Sequence, residues 1–155
     1  MHRVTFAIIF AMSLPLAGLA ETTHTSRTCP GIDVIATARR ADLFDLIRHA
    51  VSRRLHVALT PSATPLATLE AFEQAKQAGI QGLGISLDGA DARTHDAFRG
   101  WEGSFQRTAR MLDNARRLEL PVQVNTCITR RNVDQIDAIA ELLAGHGIAM
   151  WSAFF

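Results

Sequence analysis

The chain has 155 residues, of which 48% are hydrophobic and 20% are charged, a mixture typical of globular domains rather than of disordered or fibrous proteins. Its 16 basic and 15 acidic residues give a net charge of +1, which provides no electrostatic basis for binding nucleic acid or an anionic membrane surface. Its two cysteines are too few for a disulfide framework, a four-cysteine zinc site or a three-cysteine iron–sulfur loop.

The N-terminal segment differs in composition from the rest of the chain. A basic start is followed by an apolar run and by small residues that end at Ala20, which is the pattern of a secretory signal peptide. The run is too short and too broken by proline and glycine to form a stable membrane span. Residues 21–31 are polar and turn-forming, which is typical of a linker. We therefore divide the chain into a signal-like segment with its linker, residues 1–31, and a folded domain, residues 32–155.

Helical and strand-like patterns alternate from residue 42 onward. The predicted helices are residues 42–53, a helix from Thr64-Pro65 to Gly79, residues 91–98, a helix that begins at Ser104, and a helix that begins at Asn132 with Gln135 as its capping-box partner. The predicted strands are residues 55–60, 83–87, 121–128 and 148–155. Strands separated by helices indicate parallel crossovers, so the fold class is α/β with about four parallel strands and flanking helices.

Polar side chains lie at or near the carboxyl ends of the first three predicted strands. They are Thr60 and Ser62 at the first strand, Ser86 and Asp88 at the second, and Asn125 near the end of the third. Ligands of parallel sheets bind at the carboxyl ends of the strands, where loops and helix N-termini meet. These five residues are therefore the candidate binding residues.

The motifs around these strand ends resemble a known enzyme family. They are Gly-Ile-Ser-Leu-Asp-Gly at 84–89, Thr-His-Asp-Ala-Phe-Arg-Gly at 94–100, Gly-Ser-Phe at 103–105, Val-Asn-Thr at 124–126 and Met-Trp-Ser-Ala-Phe-Phe at 150–155. In this order they are similar to the radical S-adenosylmethionine (SAM) enzymes. Within that family they most resemble the subgroup with a C-terminal cysteine-rich (SPASM-type) extension, which includes haem-modifying and peptide-modifying members. The resemblance covers roughly residues 42–155.

The resemblance implies a partial (β/α) barrel over residues 32–155. It also implies an oxidoreductase-type reaction in which SAM is cleaved reductively at a [4Fe–4S] cluster and hydrogen is abstracted from a small-molecule or peptide substrate.

The resemblance also implies roles for individual residues. Ser86 and Asp88 match a motif near the ribose and methionine part of SAM, and Asn125 matches a polar residue that faces the same cofactor. Thr60 and Ser62 occupy a strand end where the family often has Thr-Asn-Gly, so this match is partial. Arg99 is expected to hold a loop rather than to act in catalysis, and no catalytic residue is assigned.

The chain departs from the family in the part that carries redox chemistry. The family's Cys-x-x-x-Cys-x-x-Cys loop holds three irons of the cluster, whereas this chain has only Cys29 and Cys127, so no metal ligand is assigned. The family's Gly-Gly-Glu-Pro segment is replaced by residues 34–40. We therefore expect a truncated radical SAM protein that is inactive alone, and whether this chain is an enzyme stays open.

Two other classes of function remain open. The chain could be a nucleoside-binding module without catalysis, or a small exported α/β protein if its N-terminal segment is a working signal. That segment could instead be a buried element or a non-native start. Because the family's clusters need reducing conditions, the resemblance favours the cytoplasm. A sheet cut from a barrel has two exposed edges, through which we expect self-association.

Overall fold

A computed structural model of the protein describes residues 41–155, in which helices and strands alternate. The helices are α1 (Leu43–Ser52), α2 (Leu69–Ala78), α3 (Ala92–Arg99), α4 (Ser104–Arg117) and α5 (Ile136–His146), and a short 3₁₀ helix (Val133–Gln135) precedes α5. The strands are β1 (Ala58–Leu59), β2 (Gly82–Ser86), β3 (Val122–Cys127) and β4 (Met150–Phe154). The expected signal-like segment, its linker and Cys29 lie outside the described residues, so the proposed domain boundary stays a prediction.

The four strands form one sheet in the order β1-β2-β3-β4, and every neighbouring pair is parallel. Each strand is joined to the next through helix, which confirms the predicted α/β fold with four parallel strands and flanking helices. The register places Ser86 of β2 opposite Asn125 of β3, and Asn125 opposite Ser152 of β4. Three polar residues therefore form a row across the sheet.

The two faces of the sheet differ in composition because side chains alternate along a strand. Leu83 and Ile85 of β2 and Val124 of β3 are buried on the face that packs against the helices. The helices cover this face with a continuous apolar cluster that includes Ile47, Phe72, Met111, Leu112 and Ile139. We call the opposite face the polar face, and it carries Thr60, Gly84, Ser86, Gln123, Asn125 and Ser152.

A buried hydroxyl links three strands on the helix-covered side. The Thr126 hydroxyl of β3 donates to the carbonyl of Leu87 at 2.7 Å and accepts from the indole N–H of Trp151 in β4 at 2.8 Å. Thr126 is fully buried, so these bonds are shielded from competition with water. They reinforce the backbone pairing of β2, β3 and β4.

Helix α2 begins later than predicted. The Thr64-Pro65 pair was expected to start it, but the Thr64 hydroxyl instead accepts from the Leu66 N–H at 3.4 Å in a local turn. The helix begins at Leu69, and the Thr68 hydroxyl caps it by accepting from the Ala71 N–H at 3.2 Å. A threonine hydroxyl can stabilise either a turn or the start of a helix. Here Thr64 stabilises the turn and Thr68 stabilises the start of α2.

Ser104 was expected to cap helix α4, but it is instead the first residue of that helix. The carboxylate of Asp96, in α3, accepts from the N–H groups of Gly103 and Phe105, both at 2.7 Å, and from the Ser104 hydroxyl at 2.8 Å. A side chain from one helix therefore satisfies the free N–H groups at the start of the next. The acceptor lies in α3 and the donors lie at the start of α4, so the helical period of α4 alone does not predict this cap.

The sheet of residues 41–155 has β1 and β4 at its edges, and self-association through them stays a prediction. Within the same residues, no helix has the length and apolar character needed to cross a bilayer.

Candidate functional site

The candidate site is built on the row of polar residues on the polar face. Ser86 and Asn125 are register partners on adjacent parallel strands, which are typically about 4.8 Å apart. Asn125 is only 8% exposed, yet its side-chain NH₂ group has no hydrogen-bond partner among the described residues. The Ser86 hydroxyl also has no partner within this part of the chain. Two neighbouring polar groups are therefore available to a ligand.

Gln123 hydrogen-bonds to two residues of this row and was not among the candidate residues predicted from the sequence. Its side-chain NH₂ group donates to the carbonyl oxygen of Asn125 at 2.9 Å and to the hydroxyl of Ser152 at 3.2 Å. The alternation along β3 could have found it, because a residue two positions before Asn125 must lie on the same face. Contact with Ser152 depends on the β3–β4 register, which the sequence pattern does not give.

Thr60 lies on the same face, one strand away. A Cβ atom added to Gly84 would approach the Thr60 hydroxyl oxygen to 2.8 Å, so the Thr60 side chain occupies the space above Gly84. Ser62 does not join this group. It is exposed and belongs to the following turn, where its carbonyl accepts from the Thr64 N–H at 2.7 Å.

Asp88 has a different environment from Ser86 and Asn125. It is 1% exposed, and one carboxylate oxygen accepts from the Cys127 N–H at 2.8 Å while the other contacts the Arg99 guanidinium at 2.6 Å. Burial raises the pKa of the Asp88 carboxyl, although Arg99 and the Cys127 N–H both favour its charged form. Both oxygens are engaged within the protein, so Asp88 joins the loop after β2 to the end of β3 instead of facing the row.

Asn132 and Gln135 hold the same loop, and the predicted capping box between them is wrong. The Asn132 side-chain NH₂ group donates to the carbonyls of Asp88 and Cys127 at 3.0 and 2.9 Å. The Gln135 carbonyl oxygen accepts from the Ala90 N–H at 3.0 Å. Both side chains are therefore committed to the loop after β2, and α5 begins after them, at Ile136.

Gly89 and His95 pack this loop against α3. A Cβ atom on Gly89 would lie 2.7 Å from the backbone nitrogen of His95, which is too close for any side chain. The buried His95 ring accepts the Asp88 N–H on Nδ1 at 3.0 Å, and its Nε2 lies 3.4 Å from the Thr108 hydroxyl. Burial, together with the charge of Arg99, lowers the pKa of His95 to about 4, so the ring is neutral near pH 7.

The residues present do not fit an iron–sulfur cluster. Such a cluster needs several thiolate ligands, and the described part of the chain contains Cys127 as its one cysteine. Across residues 41–155, no three histidine, cysteine, aspartate or glutamate side chains are grouped as a metal site requires. The donors of the polar face are instead neutral hydroxyl and amide groups, which suit a polar organic ligand.

Comparison with known proteins identifies the family. The model of the Radical SAM superfamily matches residues 32–143. The AdoMet-dependent heme synthase of Methanosarcina barkeri is 38% identical over 116 residues, which cover 75% of this chain and 33% of that protein. The mycofactocin maturase MftC of Mycolicibacterium smegmatis is 31% identical over 112 residues, which cover 72% of this chain and 28% of that protein. These matches confirm the resemblance inferred from the motifs.

The chain spans about a third of the length of the curated relatives it matches. Among solved structures, a domain of a pyruvate-formate lyase-activating enzyme from Bacteroides vulgatus matches with a TM-score of 0.47 and 14% identity, covering 73% of this chain and 89% of that chain. The fold class therefore rests on the four parallel strands themselves.

Replacing Gly89→Ala should destabilise the fold by about 1–3 kcal/mol, because the new methyl group meets backbone atoms that cannot rotate away. Gly145→Ala is the matched control. It lies in α5 with no atom within 4 Å of the new Cβ, and should stabilise the helix by up to about 1 kcal/mol. Urea denaturation of both variants measures the difference. Equal effects would show that Gly89 is not tightly packed.

The buried neutral His95 predicts acid sensitivity. Its pKa falls from 6.5 to about 4 on folding, so the unfolded chain binds the additional proton between these pH values. Stability from this group is complete above pH 6.5 and is lost as the pH falls toward 4, by at most about 3 kcal/mol. The raised pKa of Asp88 acts in the opposite direction, because its folded form holds a proton more tightly.

His95→Gln should remove the His95 contribution and flatten the acid side of the stability profile relative to the unaltered chain. Urea denaturation at several pH values between 4 and 7 measures this difference, with the exposed His56→Gln as control. Parallel profiles for the His95 variant and the unaltered chain would contradict the assignment.

Proposed function

We propose that the polar face of this chain, which belongs to the radical SAM superfamily, binds SAM. The observation that carries this proposal is a pair of unengaged groups, the Ser86 hydroxyl at the end of β2 and the side-chain NH₂ of its β3 register partner Asn125. They lie where ligands of parallel sheets bind.

The chemistry of these groups matches the polar parts of SAM. The Ser86 hydroxyl can donate to or accept from a ribose hydroxyl, and the Asn125 amide can bind an oxygen of the ribose or of the methionine carboxylate. The Thr60 side chain fills the space above Gly84, so its hydroxyl adds a third neutral polar group to the same face. Asp88 contributes indirectly, because its contacts with Cys127 and Arg99 fix the loop that follows Ser86.

Binding of SAM and cleavage of SAM need different groups, because cleavage requires an iron–sulfur cluster. The superfamily uses SAM with a [4Fe–4S] cluster, and residues 41–155 do not fit the cluster. We propose that the 155 residues as they stand bind SAM without cleaving it. For the whole protein we propose a small-molecule or peptide substrate, because its relatives include a heme synthase and a mycofactocin maturase.

Isothermal titration with SAM tests the binding site. Ser86→Ala and Asn125→Ala should each weaken binding by about tenfold, since each removes one hydrogen bond to the ligand. Ser52→Ala is the control, because this hydroxyl is exposed at the end of α1 and bonds only the carbonyl of His49. A folded chain that gives no heat with SAM, or equal affinity in all variants, would overturn the proposed site.

Anaerobic reconstitution with iron and sulfide tests the second half of the proposal. The chain should not retain an absorbance band near about 400 nm after desalting, because it cannot supply three thiolates to a cluster. Cys127→Ala should behave like the unaltered chain. A stable cluster at one equivalent of this chain would refute the separation of binding from cleavage, and it would leave the titration result intact.

A further inference from the structure

We propose that Gln123 is a positioning residue that turns the Asn125 amide so that its NH₂ group faces the ligand. The site then selects a hydrogen-bond acceptor on SAM, such as a carboxylate or ribose oxygen, at this position. The inference deepens the proposed function and rests on it.

The contacts of Gln123 set this orientation. Its NH₂ group has two protons, and the two acceptors within reach are the Asn125 carbonyl oxygen at 2.9 Å and the Ser152 hydroxyl at 3.2 Å. Both acceptors lie on the polar face, and Asn125 and Ser152 are register partners. With its carbonyl oxygen engaged, Asn125 has its NH₂ group left to offer.

Because Asn125 is buried, the orientation of its amide affects which ligand atoms can bind beside it. Asn125 is 8% exposed, so its NH₂ group can make few hydrogen bonds to water. An unpaired buried donor is unfavourable, and a ligand acceptor placed against it removes that cost. A ligand donor at the same place would meet a second donor and would be rejected. The Asn125 amide therefore favours a ligand with a hydrogen-bond acceptor at this position over one with a donor.

Gln123→Glu replaces the hydrogen-bond donor that faces Asn125 with an acceptor. A carboxylate only accepts hydrogen bonds, so the Asn125 amide must turn its NH₂ group toward Glu and present its carbonyl oxygen to the ligand. Gln123→Met has a similar length but removes both hydrogen bonds without favouring either orientation. Gln106→Glu, on the exposed surface of α4, is the control for the added charge.

Titration of the four chains with SAM gives a rank order that depends on polarity. We expect Gln123→Glu to weaken binding by about tenfold or more, Gln123→Met by less, and Gln106→Glu not at all. A residue that only supports the fold would make Met at least as harmful as Glu. Affinity retained in the Glu variant and lost in the Met variant would show the reverse orientation and overturn the proposal.

A second measurement follows the unaltered chain during the titration and needs a folded Asn125→Asp variant only to assign signals. The side-chain NH₂ signals of Asn125, identified in an NMR spectrum by their loss in Asn125→Asp, should shift when SAM is added. If SAM binds and these signals stay in place, the orientation is wrong while the proposed function stands. If the unaltered chain does not bind SAM, both inferences fail.

Discussion

The buried carboxylate of Asp88 is the constraint on which the site depends. Its oxygens contact the Cys127 N–H and the Arg99 guanidinium, so one side chain joins the end of β2, the end of β3 and the end of α3. A buried carboxylate without such partners would be strongly unfavourable. Asn132 binds the backbone of the same loop from the other side. These contacts hold the ends of β2 and β3 together, next to the polar face.

The four residues of the Ser-Leu-Asp-Gly motif, residues 86–89, have different surroundings. Ser86 faces the polar face, Leu87 is buried in the core, Asp88 binds neighbouring elements and Gly89 allows close contact with α3. The side chains of these adjacent residues therefore lie on the polar face, in the core and against neighbouring elements, and Gly89 leaves room for the α3 backbone. Ser86 and Asp88, which the resemblance assigned to the same cofactor, therefore have different surroundings in the structure.

Hydrophobic periodicity was enough to predict the order of helices and strands, the parallel sheet and the approximate element bounds. It also grouped Ser86 with Asn125, because both lie toward the carboxyl ends of neighbouring strands in one parallel sheet. It could not reveal that Asp88 is engaged internally, since a residue beyond the end of a strand no longer follows the alternation of faces. Nor could it find the Gln123–Ser152 contact, which depends on strand register, or the cap that Asp96 supplies from another helix.

The hydroxyl of Thr126 holds the strands in register and so affects the polar face on the opposite side of the sheet. By bonding both Leu87 and Trp151 it resists sliding of three strands past one another. The spacing between Ser86, Asn125 and Ser152 is then set during folding, before any ligand arrives. A ligand that meets such a preorganised surface loses its own freedom on binding but does not have to order the strands, so more of the contact energy remains as affinity.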